Sequence, residues 1–129
     1  MKPAMSKCVL IVDDEEDARS IAQLALQMQT DWNILLGDCG QAALNIAAEH
    51  RPDVILLDMM MPDMDGRTTL QHLKANPVTQ NIPVILVTAK AQTADRASFA
   101  ELELAAVFAK PYRPLQLASE ISKALGWEK

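Results

Sequence analysis

Val54-Ile55-Leu56-Leu57-Asp58-Met59-Met60-Met61-Pro62-Asp63-Met64-Asp65-Gly66 sets four apolar residues against one carboxylate, then adds three methionines, a proline and an Asp-Gly turn. A short, wholly apolar run bounded by turn residues reads as a buried strand of a parallel sheet. Asp58 then stands at that strand's carboxyl end, the edge where open α/β sheets bind ligands. A strand-end Asp also commonly caps the following turn or helix. The remaining strands decide between the two readings.

Outward from this stretch the same unit recurs. Cys8-Val9-Leu10-Ile11-Val12 is a second apolar run, and it ends on Asp13-Asp14 followed by Glu15-Glu16-Asp17. Clustered carboxylates suit a hard divalent cation. An acidic first turn also suits a helix dipole. Both uses are compatible: Glu15, Glu16 and Asp17 serve the helix start, while Asp13 and Asp14 occupy the strand end. The spacing next predicts a helix whose inward stripe is Ala18, Ile21, Leu24, Ala25 and Met28. Trp32 to Leu36 reads as a strand, and Asp38-Cys39-Gly40 turns into a helix with Ala43, Ile46 and Ala47 inward. His50 ends that helix, where partial positive charge is favourable. Neither His50 nor His72 has a ligand partner at metal spacing.

After Gly66 a third helix turns Leu70 and Leu73 inward and stops at Asn76-Pro77. Ile82 to Val87 is the fourth strand, ending on Thr88-Ala89-Lys90; a Thr there also suits a helix N-cap. A helix is expected over about 93–103, anchored by Phe99 and Leu102. Ala105 to Ala109 is a short fifth strand, ending on Lys110-Pro111. Pro114 opens a last helix with Leu117, Ile121, Ala124 and Leu125 inward, and Gly126 closes it. Five strand-helix units predict a doubly wound parallel sheet of five strands, covered by helices on both faces. Asp13, Asp14, Asp58, Thr88 and Lys110 all fall at strand carboxyl ends, so the fold would collect them on one edge.

Composition frames the function. The 129 residues are half hydrophobic, which suits one domain with one core. The formal net charge of −5 argues against nucleic-acid and anionic-membrane surfaces. No apolar run approaches the roughly 20 residues of a membrane span. Met1 to Lys7 lacks a secretory apolar core. The two cysteines fall near opposite ends of neighbouring strands, too far apart for a disulfide. The expected location is the cytoplasm.

The acidic pair Asp13-Asp14, Asp58 in LLDMMMPDMDG, Thr88 in ILVTAK and Lys110 in AKPY together resemble the response-regulator receiver domain of two-component signalling, single-domain type. The resemblance covers the whole chain, 1–129, with a core of about 7–126. It implies the flavodoxin-like strand order 2-1-3-4-5. It also implies that Asp58 takes a phosphoryl group from the phosphohistidine of a histidine kinase or histidine phosphotransfer protein. Asp14, Asp58 and the Met60 backbone carbonyl would ligate Mg²⁺, and Asp13 would act mainly through a metal-bound water. Lys110 would neutralise a phosphoryl oxygen, Thr88 would bond another, and the Lys110-Pro111 peptide would be cis. Output would pass to a protein partner or to an output domain outside this chain.

Two departures stand out. Val107 holds a position where the family carries Tyr or Phe, and Glu103-Leu104 replaces a common Gly-Ala pair. A muted change around the fourth helix and fifth strand is therefore expected on phosphorylation. Strand alternation turns Phe108 to the opposite face. Two other classes share some of these features. A phosphohydrolase of the haloacid-dehalogenase type would need an acid two residues after the nucleophile, where this chain has Met60. A constitutive binding module would not use the phosphorylation residues.

Overall fold

The computed structural model describes residues 7–89 and 103–127. Five strands form one parallel sheet: β1 (Cys8–Val12), β2 (Asn33–Gly37), β3 (Val54–Asp58), β4 (Val84–Thr88) and β5 (Ala106–Ala109). Their order is β2-β1-β3-β4-β5, as the resemblance implied. The described helices are α1 (Glu16–Gln29), α2 (Gly40–His50), α3 (Gly66–Ala75) and α4 (Leu117–Leu125). A short 3₁₀ turn, Pro114–Gln116, leads into α4, so Pro114 opens that turn rather than the α-helix itself. The helix expected over 93–103, with Phe99 and Leu102, lies outside the described residues except for Glu103.

Strand alternation divides the core into two layers. Leu10, Val12, Ile55, Leu57, Val84 and Leu86 face α2 and α3, meeting Ala43, Ala47, Leu70 and Leu73. Val9, Ile11, Val54, Leu56, Ile85 and Val87 face α1 and α4, meeting Ala22, Leu26, Leu117 and Ile121. Both faces of β3 are therefore buried, which is why its sequence is apolar without alternation. On β5 the same rule sends Val107 to the first layer and Phe108 to the second.

The inward face of α1 differs from the expected stripe. Ile21, Leu24 and Met28 are 53%, 59% and 68% exposed, while Ala22, Ala25 and Leu26 are buried. At about 100° per residue, the apolar positions of α1 wrap about half of the helix. A helix on a sheet buries a narrower arc than that. Periodicity cannot choose which half, and small Ala22 and Ala25 allow the closer approach.

The helix ends match local chemistry. Asp65 caps α3, its Oδ1 accepting from the Thr68 N–H at 2.7 Å. Asn76 ends α3, and Gly126 ends α4 in the left-handed region at φ 70°. Cys39 lies beyond β2 and caps α2 through Sγ, and both cysteines remain thiols. At the amino-terminal edge of the sheet, Trp32 and Trp127 meet edge-on with ring centroids 5.2 Å apart. The Lys7 ammonium lies over the Trp127 ring at 4.9 Å. No described helix is long and apolar enough to cross a membrane.

Candidate functional site

The carboxyl edges of β1, β3, β4 and β5 bring the expected residues to one place. Strand register accounts for it: Val12 pairs with Leu57, Asp58 with Val87, and Thr88 with Ala109. Asp13, Asp58 and Thr88 are buried, at 6%, 5% and 2% exposure. Asp14 is exposed. Carboxylate oxygens of Asp13, Asp14 and Asp58 lie within 4.8 Å of one another. Lys110 Nζ stands 3.2 Å from Asp58 Oδ1 and 3.3 Å from Asp13 Oδ2. The Lys110-Pro111 peptide is cis, as expected.

The surrounding backbone fixes these groups. Asp13 Oδ1 accepts from the Glu15 N–H at 2.9 Å, and the Asp13 carbonyl accepts from Arg19 Nη1 at 2.8 Å. The Lys110 N–H donates to the Thr88 carbonyl at 2.9 Å, tying the two strand ends together. The Met59 N–H donates to the Val87 carbonyl at 2.9 Å, and the Gly66 N–H donates to Met59 at 2.7 Å. A side chain at Gly66 would put its Cβ 2.8 Å from the Asp58 carbonyl oxygen, so the loop can close against β3 only with glycine there.

Electrostatics set the character of the site. Burial pushes the Asp58 carboxyl above its ordinary range, and Asp13 adds to the effect. Lys110 and the Met60 N–H offset only part of it. Burial opposes the Lys110 charge, but Asp58 and Asp13 outweigh it and hold the ammonium above its usual range. Three carboxylates against one ammonium leave a formal surplus of two negative charges. A hard divalent cation balances that surplus and takes oxygen ligands, so the donor set fits Mg²⁺.

The site opens into a cleft of about 350 Å³ lined by Asp14, Glu15, Asp58, Met60, Ala89 and Lys110. Met60 itself is 65% exposed and lines this cleft. Two further residues belong to the site's surroundings and were not singled out from the sequence. Tyr112 lines a small gap beneath Asp13 and Asp58, where burial and then Asp13 push its phenol up. Asp63 ties the loop after Asp58 to α2, accepting from the N–H groups of Gly40 and Gln41 at 3.0 Å each. No sequence spacing announces either one. Their partners lie on other elements, and only the strand order brings them together.

Comparison with known proteins gives this geometry its class. The response regulator receiver domain matches residues 9–122. The chain is 31% identical over 121 residues to the phosphate regulon transcriptional regulatory protein PhoB of Pseudomonas aeruginosa, covering 94% of this chain and 52% of that protein. It is 36% identical over 117 residues to the response regulator PleD of Caulobacter vibrioides, covering 91% of this chain and 26% of PleD. The chain thus spans about a quarter to a half of the length of these curated relatives. Among solved structures, a response regulator from Desulfuromonas acetoxidans superposes with a TM-score of 0.82 at 25% identity, covering 95% and 99% of the two chains. The chemotaxis response regulator CheY4 of Vibrio cholerae shares the fold, with a TM-score of 0.85 at 22% identity over 93% and 99% of the chains.

The chain belongs to the response regulator receiver family. It is a receiver domain of the kind that two-component systems use for signalling.

Proposed function

We propose that Asp58 is the phosphoacceptor of this receiver and takes its phosphoryl group from a phosphohistidine on a histidine kinase or histidine phosphotransfer protein. The observation that carries the reading is a buried carboxylate with a raised pKa, 3.2 Å from an ammonium and beside two further carboxylates. An Asp58 oxygen attacks phosphorus, the P–N bond to the donor imidazole breaks, and an acyl phosphate remains on Asp58. Such transfer depends on positioning and charge neutralisation more than on proton chemistry.

Asp14, Asp58 and the Met60 carbonyl would hold Mg²⁺, with Asp13 acting mainly through water. When bound, the ion supplies charge neutralisation to carboxylate and phosphoryl oxygens. Lys110 keeps its proton beside Asp58 and is placed to donate to a phosphoryl oxygen. Thr88, on the neighbouring strand end, is assigned to a second oxygen. The cleft beside Asp58 admits the donor imidazole. Hydrolysis of the acyl phosphate resets the domain.

The partners of this reading are proteins: the phosphohistidine donor, and a downstream partner or output domain outside this chain. The net charge of −5 favours neither nucleic acid nor an anionic membrane for the receiver itself. The cytoplasm, where such donors expose their histidines, is the proposed location. Val107 is small and stiff at χ1, so phosphorylation is expected to perturb the strand-end loops more than β5. Amide shifts across 99–107 comparable to those beside Asp58, with a beryllofluoride phosphoryl mimic, would overturn that point.

The test is mass spectrometry after incubation with a small phosphodonor, with and without Mg²⁺. The expected result is one acid-labile phosphoryl group, dependent on Mg²⁺ and absent in Asp58→Asn. Undiminished labelling in that variant overturns the assignment.

A further inference from the structure

The loop between β3 and α3 carries the Met60 carbonyl, and its two ends are anchored to the sheet and to the start of α3. At one end Met59 bonds to Val87 and Gly66; at the other Asp65 bonds to Thr68 and Thr69. Its middle is held differently. Asp63 reaches across to a helix that begins 23 residues earlier in the chain. Its Oδ1 accepts from the Gly40 N–H and its Oδ2 from the Gln41 N–H, both at 3.0 Å.

These are two of the N–H groups that every α-helix start leaves without an intrahelical partner. Ala42, the next, donates to Cys39 Sγ at 3.4 Å, a longer and weaker bond to sulfur. The stronger cap of α2 therefore comes from the loop, and the loop's middle is fastened to α2. Met64 adds to the closure, lying so near Gly40 that a side chain at position 40 would collide with Met64 and with Thr69 Oγ1. The loop carries a proposed cation ligand at its start and a helix cap three residues later.

We propose that Asp63 is a positioning residue for the cation site. By clipping the loop to the start of α2, it holds the Met60 carbonyl at the cleft with Asp14 and Asp58. This rests on the Mg²⁺ reading above. It adds a mutual coupling: binding at either end stabilises the other, because one short loop serves both.

The experiment is a Mg²⁺ titration of isotope-labelled protein followed by amide NMR. Asp63→Ala is expected to weaken Mg²⁺ binding about tenfold, the usual scale for losing a supporting partner of a metal ligand. Asp63→Asn, which keeps one acceptor oxygen, should fall between that variant and wild type. In wild type the Gly40 and Gln41 amides should shift with Mg²⁺, and in Asp63→Ala they should not. Cys39→Ala weakens the same helix end without touching the loop, and should leave Mg²⁺ affinity unchanged. A Kd for Asp63→Ala within about twofold of wild type overturns the proposal. So does an equal loss in Cys39→Ala, which would reduce Asp63 to a helix cap. If wild type itself binds no Mg²⁺, the site reading falls. The clip is then judged by hydrogen exchange of Met60 to Met64 in metal-free protein, where equal exchange in wild type and Asp63→Ala overturns it.

Discussion

Asp58 and Asp63 are five residues apart on one segment, yet their surroundings treat the same carboxyl group in opposite ways. Asp58 is buried at a strand end, facing another carboxylate, and its pKa is raised by burial first and Asp13 second. Asp63 stands in solvent, and the N–H groups of Gly40 and then Gln41 hold its carboxyl below the usual range. One carboxylate is kept under electrostatic stress, and the other is satisfied by donors. One short segment thus holds a carboxylate whose charge is opposed by burial and another whose charge is favoured by neighbouring N–H groups.

The largest test of this contrast is Asp58→Asn. It should abolish phosphoryl labelling, and in metal-free buffer it should stabilise the fold by on the order of 1 kcal/mol, about 4 °C in Tm for a domain of this size. Thermal unfolding in the presence of a chelator measures this. A destabilised Asn variant would show that Asp58 is well compensated after all.

Lys110→Met comes next. It removes the ammonium between Asp13 and Asp58, leaving buried carboxylates without that counter-charge. Labelling should fall by about tenfold or more, and metal-free stability should drop by roughly 1–3 kcal/mol. Mg²⁺ should restore part of that stability. Parallel unfolding curves with and without the ion decide it.

The pH dependence should differ in sign between the two carboxylates. A carboxyl with a raised folded pKa binds its proton more tightly in the folded state. Its ionisation therefore costs stability progressively as pH rises from the unfolded value, about 3.9, through the higher folded one. The gain from Asp58→Asn should thus grow with pH over that window. Asp63 is the reverse. Its contribution is present above about pH 3.9 and is lost as pH falls through its depressed folded value, so the loss from Asp63→Asn should shrink in acid. Denaturant titrations across that range, in chelator, read both. Equal pH trends in the two variants would erase the distinction.

The smallest effect is expected from Met60→Ala. The proposed ligand is the backbone carbonyl, and the side chain is 65% exposed. Mg²⁺ affinity should stay within about twofold of wild type, since a surface side-chain change of this kind usually moves stability by less than about 0.5 kcal/mol. A larger loss would show that the methionine side chain helps shape the loop.

The strands and the strand-end residues were legible because both depend on local pattern. A strand buried on both faces must be apolar throughout, so Asp58 and Thr88 stand out where Val54–Leu57 and Val84–Val87 end. The strand order came from the family resemblance rather than from the pattern. The face of α1 was not legible. Its apolar arc is wider than the sheet covers, and the choice of Ala22 and Leu26 over Leu24 and Met28 is made by packing that the helix cannot see alone. Asp63 was illegible for a related reason. In sequence it is one more turn residue beside a proline. Its partners, Gly40 and Gln41, open α2, which only the tertiary fold sets beside this loop.

The pairing of Trp32 with Trp127 has a practical consequence in optical spectroscopy. These are the chain's two tryptophans, and they lie at the amino-terminal edge of the sheet. A five-residue strand, about 16 Å long, separates that edge from Asp58. Their emission will therefore follow the docking of α4's end and the loss of the fold, and will respond little to events in the cleft. The single tyrosine, Tyr112, lines the gap beneath Asp13 and Asp58. Its absorbance is expected to respond to charge there. Unfolding and site occupancy can thus be followed in one cuvette by two native chromophores, with no label attached.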